Sequence, residues 1–399
     1  MLYTKNRINI WSNIVFYGFL LLCVFRFVSI FITGNELSYT KYAFLLLAIP
    51  SSYLFLRAMS KINFLNIMTL LLISSMIITS LSQLAFDVNI TDEHGRSTNE
   101  FIITNVLYNF IFVIIGAGIS RINSIPVPRV ILLSLLVSIL LILITAADKT
   151  LVLNFHNSDN IAYDLEISHL TLGPYVSFIL IVVSSAFHKF NRYIVYIICL
   201  IILFIMGSRA DLFSFFVALN VIEIIRAESP LKVFKKIGLM VCFSTIVLVL
   251  YFEAYASIDI GRMGSFLDIS KDNSFLARVY FLFNSFSDFP SQALYGGVSE
   301  YTKRFGGVGS YIHNLLSAWQ FFGVFVFLLL IFQLYSMMKV AISKKSSEDN
   351  YFVSFLFIYS IINVLLFKSA NYHLLWLSIG VFHGIQTKIK FVSSVNQRS

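Results

Sequence analysis

Apolar runs of about twenty residues recur from one end of this chain to the other, each closed by a short polar break. As a helix, a run of that length rises ~1.5 Å per residue and matches the ~30 Å hydrocarbon core of a bilayer. Inside lipid every backbone amide must find its partner within the protein, so helices and closed barrels alone can cross. The strands of a barrel would alternate polar and apolar residues, and these runs do not. The chain therefore reads as an all-α polytopic membrane protein, a single domain over residues 1–399. Its composition agrees: 58% hydrophobic and 12% charged, against roughly a quarter charged in soluble domains.

Taken in order, the runs lie at 10–32, 42–56, 64–85, 101–119, 130–146, 172–187, 193–206, 212–225, 237–255, 315–338, 352–367 and 374–385. About twelve spans put both termini on one side. With the N-terminus in the cytoplasm most Lys and Arg fall on that side, as the positive-inside bias requires, and the short outer loops are nearly free of them. The net charge of +9 is thus read as a device of orientation, not as a nucleic-acid footprint. Two outer segments are long: 148–170, and the larger 257–313, where short helices are expected. The first run is too long for a signal-peptide core and lacks a small-residue cleavage site, so it is read as a span. Cys23, Cys199 and Cys242 all fall inside apolar runs and read as small core residues. No sustained internal repeat of the kind found in many transporters is visible.

The candidate chemistry collects at outer run ends and in the large loop. Arg209, in Gly207-Ser208-Arg209, is either an interfacial anchor paired with Asp211 or a planar fork for phosphate oxygens. Arg278 lies in an amphipathic stretch whose apolar residues Phe275, Leu276, Val279, Phe283 and Phe286 suit a helix on the membrane surface. Lys303 and Arg304 precede glycines at 306, 307 and 309, a weak phosphate-cradle signal equally consistent with a lid. Tyr311, His313 and Asn314 open the tenth run, where a histidine could serve as base or hydrogen-bond donor. His373 stands in a similar place. Glu253, at the end of the ninth run, is a candidate carboxylate base. Arg26 lies within the first run, must face the interior, and is a secondary substrate ligand. Glu223 and Arg226 read as a simple pair one turn apart. No zinc-ligand spacing, nucleophile elbow or dinucleotide fingerprint occurs, so no metal or cofactor is expected, and a donor substrate would already reside in the membrane.

Three pieces occur in a telling order: Gly207-Ser208-Arg209; Arg278 with Tyr280, Pro290 and Gly296-Gly297; and His313-Asn314-Leu315 with Gly323 and Val324. With about twelve spans and a large late outer loop, the chain resembles the O-antigen polymerase and ligase superfamily of bacterial envelopes, and within it the Wzy-type repeat-unit polymerases. It departs from the family in one respect. Some polymerases carry an arginine and, after ten intervening residues, a glycine in two outer loops; here Asn220 and Phe289 stand at those positions after Arg209 and Arg278.

The resemblance implies a glycosyltransferase C-type fold in the bacterial inner membrane, with the active face periplasmic. It implies transfer of a growing glycan from one undecaprenyl pyrophosphate to the sugar of another lipid-linked repeat unit, without nucleotide or metal. Arg209, Arg278 and His313 match the family's site positions. The implied partners are the lipid-linked donor and acceptor and the membrane lipids, with a chain-length regulator left open and no nucleic acid. Two other readings stand beside it: an O-antigen ligase acting on lipid A core, and a flippase or transporter for lipid-linked oligosaccharides.

Overall fold

The computed structural model describes residues 2–396 except 34–38, 60–62, 93–94, 121, 123–124, 148–168, 188–189, 309–310 and 344–350; between 227 and 272 it describes 229, 231, 234, 235, 238, 241 and 245. Most of the ninth run, the loop 148–168, residues 257–272 of the large loop, and Glu253 lie outside the described residues.

Every other apolar run is a helix: α1 (Leu2–Thr33), α2 (Tyr39–Met59), α3 (Phe64–Phe86), α4 (Thr98–Ile119), α5 (Arg129–Ala147), α6 (His169–Ala186), α7 (Phe190–Ile205) and α8 (Arg209–Ile225). After the gap come two helices of the large loop, α9 (Asn273–Ser285) and α10 (Val298–Phe305), then α11 (Ser317–Ser343), α12 (Tyr351–Leu366) and α13 (His373–Asn396). Among the described residues there is no strand, only an isolated bridge between Thr91 and Ser97. Among the described residues six helices are long and apolar enough to cross a membrane: α1 to α5 and α11. α6, α7, α12 and α13 carry shorter apolar stretches. This is the build of a multi-pass helical membrane protein.

Local chemistry sets the helix ends. Asn63 caps α3 by accepting from the Asn66 amide at 2.7 Å, and Ser97 caps α4 from the Glu100 amide. Pro126 and Pro128 stand in the break before α5, where a proline cannot continue the preceding helix.

Apolar attraction between helices is absent in lipid, so packing rests on close backbone approach and polar contacts. The closest pair is α4 against α13. A Cβ added at Gly380 would stand 2.0 Å from the Val113 carbonyl oxygen, and one at Gly116 2.1 Å from that of Leu377. Polar side chains bridge other pairs: Gln333 donates to Thr69 at 2.6 Å between α11 and α3, and Ser360 meets Ser378 at 2.8 Å between α12 and α13.

One end of the bundle, the loop end, carries residues 87–92, 95–97, 206–208, 273–308, 311–316 and 367–372. At the opposite end Glu223 is met by Arg192 at 3.6 Å and by the Tyr193 and Tyr196 hydroxyls, while Arg226 lies 4.5 Å from the Tyr351 ring centre. The expected simple pair of Glu223 and Arg226 is thus part of an assembly that joins α7, α8 and α12.

Candidate functional site

The described part of the large loop is tied down by buried polar side chains of α3 and the 87–97 turn. Gln83, fully buried at the end of α3, donates its amide to the carbonyls of Tyr295 and Phe321 and accepts from the Val298 amide at 3.4 Å. Asp92 accepts from the backbone amide of Arg96 at 2.9 Å and that of Val308 at 3.2 Å, and pairs with the Arg96 guanidinium at 2.8 Å. Burial alone would raise this carboxyl, but the two amides and the guanidinium outweigh it and hold it at about 2. A Gln83→Leu chain would leave three buried backbone groups without partners, at about 1–3 kcal/mol for each. We expect a lower melting midpoint and faster proteolysis between residues 289 and 308; unchanged proteolysis would show that the loop is held by other contacts.

Glycines make the next junction. Gly323 breaks α11 with φ +81°, and Gly296 has φ +84°. The two turns lie backbone to backbone: the Gly297 amide donates to the Gln320 carbonyl at 2.9 Å and the Val324 amide to that of Ala293 at 2.8 Å. A Cβ on Gly323 would fall 2.5 Å from the Leu294 oxygen. The glycines of the second and third sequence pieces are therefore in direct contact. A broken helix of this kind is tolerated at membrane depth where its freed amides are answered by protein.

On this platform sits the segment 311–316. Asn314 accepts from the Leu316 amide at 2.9 Å through its side chain, and its carbonyl accepts from Ser317. Its side-chain oxygen, expected on a substrate, is thus used to shape the entry into α11. Tyr311 stacks between His313, at 4.9 Å, and Phe321, also at 4.9 Å. Half-buried His313 is held at about 4, by burial first and then by the charges of Arg278 and Lys368. The ring is neutral at pH 7. Arg278 lies in α9, which forms over the amphipathic stretch; Leu276, Tyr280 and Phe283 make its exposed apolar stripe.

Arg209 begins α8 at the same end. Gly207, at φ +65°, makes the tight reversal from α7, and the following Ser208 and Asp211 are buried. The expected partnership of Arg209 with Asp211 is corrected: Asp211 receives Ser208 Oγ at 2.5 Å, Tyr359 OH at 2.7 Å and Lys368 Nζ at 3.3 Å. Lys368 lies in the turn between α12 and α13. That turn packs on the 311–317 segment, the Ala370 amide donating to Ser317 Oγ at 2.7 Å.

Lys303 and Arg304 are exposed on the last turn of α10, and Arg304 pairs with Asp288. Arg304 thereby ties the loop to itself. Gly306, read as part of a phosphate cradle, is instead the left-handed cap of α10, its amide donating to the Thr302 carbonyl at 2.9 Å. Arg26 faces the interior as expected, donating to Tyr175 OH at 2.8 Å; that hydroxyl lies 3.3 Å from His373 Nδ1, and His373 stacks on Phe112.

The structure thus brings Arg278, Tyr311 and His313 together, sets the Lys368 turn against the same segment, places Arg209 at the same end of the bundle, and keeps Lys303 and Arg304 on the outside. Lys368 was missed. Its signal is in the sequence: it is the single Lys or Arg between Lys345 and Lys388, in the short turn between two apolar runs. In comparisons with known proteins, no family model and no curated protein matches this sequence.

Proposed function

We propose that this chain is a membrane glycosyltransferase that polymerises undecaprenyl-pyrophosphate-linked repeat units into a surface polysaccharide. In this reading it crosses a bacterial inner membrane twelve times, with both termini cytoplasmic, and works at the periplasmic face, the loop end. The observation that carries it is the meeting of cations from distant helices around a neutral histidine at one end of an apolar bundle. That is the equipment for a buried, highly charged anion and an uncharged hydroxyl.

The departing group is a lipid diphosphate. The acceptor hydroxyl oxygen bonds to the anomeric carbon of the donor sugar, and the bond from that carbon to the diphosphate oxygen breaks, its electron pair leaving with the phosphate. The hydroxyl proton passes to His313. Arg278 and Arg209 hold the diphosphate oxygens, where fixed charges in a dry site stabilise the negative charge that grows as the bond breaks. The bound diphosphate also offsets the cations that keep His313 neutral, so the ring becomes a better proton acceptor only when the donor is present. Tyr311 orients the ring, Arg26 supports the interior, and Lys303 and Arg304 keep the loop closed. The lipid-linked donor and acceptor are the partners.

The test is the polysaccharide profile of a deletion strain complemented with Arg209→Ala, Arg278→Ala or His313→Ala. Each is expected to leave normal amounts of protein in the membrane and to lose long chains while a single repeat unit stays attached to core. A full ladder from Arg209→Ala removes that residue from the site. Loss of all attached glycan points to a ligase, and purified protein that cannot elongate lipid-linked units in detergent points to a transporter.

A further inference from the structure

Asp211 and Lys368 form a buried ion pair that nothing in the fold requires. Asp211 is fully buried and Lys368 is 7% exposed. Removing two charges from water costs more than their attraction commonly returns, and a well-packed apolar pair would often serve stability better. The carboxylate is sealed on every side. Ser208 Oγ and Tyr359 OH donate to it, Tyr359 is itself bonded to Ser177 and Tyr372, and a Cβ on Gly173 of α6 would stand 2.2 Å from Asp211 Oδ2. With its oxygens so occupied, Asp211 has no room for a substrate or for a catalytic proton.

The lysine is different. An ammonium has three protons, and Asp211 engages it through one oxygen at 3.3 Å. The turn that carries Lys368 is bonded to the start of α11 through Ala370 and Ser317, beside His313, whose ring feels the lysine's charge. Beyond Asp211 the ammonium lies 5.7 Å from the centre of the Tyr372 ring, and its charge reaches the His313 ring.

We propose that Lys368 is a further cationic ligand for the diphosphate bound at Arg278 and His313, and that Asp211 is the residue that positions it. The inference rests on the proposed function and deepens it. Before the anion arrives, the pair is neutral and can stay buried. When it arrives, the ammonium bridges Asp211 and a phosphate oxygen, and the charge of the lysine is shared between the two. A lysine suits this role because its compact charge and rotatable protons can serve both at once.

The experiment uses the purified full-length chain in nanodiscs, titrated with inorganic pyrophosphate and, separately, with a short polyprenyl diphosphate. Asp211→Asn keeps the shape and one of the two acceptor oxygens but removes the competing charge; it is expected to tighten diphosphate binding about tenfold, the scale of one hydrogen bond to a charged group. The double variant Asp211→Asn with Lys368→Met leaves no charge unpaired, should keep the wild-type melt, and should bind about tenfold more weakly than wild type. A purely structural pair would alter melting and leave affinity unchanged. Wild-type affinity in both folded variants would overturn the proposal alone. If Asp211→Asn does not accumulate, the double variant decides. Binding of the polyprenyl compound but not of pyrophosphate identifies a lipid-borne diphosphate; wild-type protein that binds neither sinks the polymerase reading and this inference together.

Discussion

Gly380→Leu is expected to prevent accumulation of the protein in the membrane, and even Gly380→Ala should lower its melting midpoint by several degrees. The glycine lies where α13 crosses α4, and a methyl group there would stand 2.0 Å from the Val113 carbonyl oxygen. Ordinary carbon contacts lie at ~3.5–4.0 Å, so the helices would have to separate by more than an ångström. Nothing flexible can yield, because the obstructing atom is backbone. The separation would also spread Gly116 from Leu377 and Gly384 from Ser120, since the three contacts share one interface. An extra methyl group forced into a packed core costs about 1–3 kcal/mol; a leucine adds three more carbons to the same clash. Gly238 is the control, having nothing among the described residues within 4 Å of an added Cβ, and Gly238→Ala should melt with wild type. Equal melts for Gly380→Ala and Gly238→Ala would show that α4 and α13 are not in backbone contact.

The helices were legible because lipid leaves a long apolar run little choice, and most of their ends lie within a few residues of the polar breaks that announce them, although α1 already starts at Leu2 and α13 runs on to Asn396. The partners were not. The spacing of Gly380 and Gly384 is visible in the sequence, but that α4 answers it with Gly116 and Ser120 depends on which helices become neighbours. The site divides in the same way. Arg209 and His313 could be picked out as polar residues at run ends, and Arg278 as the cation of an amphipathic stretch in the large loop. One of the two readings of Arg209 paired it with Asp211, its near neighbour in the chain, whereas the carboxylate meets Lys368, far along the sequence, at 3.3 Å. Gln83 looked like one polar residue in an apolar run, and its work of holding the loop and the broken helix appears only when Tyr295, Val298 and Phe321 are brought to it. Local reading finds the groups that must meet something polar; it does not find what they meet.

His313 should make the fold sensitive to mild acid. Its imidazole is held at about 4 in the folded protein, chiefly by burial and then by Arg278 and Lys368, against 6.5 ordinarily. Between those values the unfolded chain takes up a proton that the folded chain refuses. Stability therefore rises with pH across this window, and acidification favours the unfolded state. The full contribution is present above the ordinary histidine value and falls by about 3 kcal/mol on reaching pH 4. Other groups titrate too, so the measurement is a difference: melts of wild type and His313→Gln in the same nanodiscs from pH 7.5 to 4. The variant should be less sensitive to acid by about that amount. Arg278→Gln, which removes one of the two cations, should raise the histidine's value and narrow the window. The Asp92 clamp does not confuse the result. Its carboxyl, held at about 2, keeps its stabilising charge through the whole range and loses it only in stronger acid. Diphosphate binding near pH 5 should be accompanied by proton uptake, because an anion beside the ring restores its affinity for a proton; calorimetry in buffers of different ionisation enthalpy reads this directly. Parallel pH profiles for wild type and His313→Gln would mean that the ring is not held neutral by its surroundings, and the argument that donor binding turns it into a base would fall with that result.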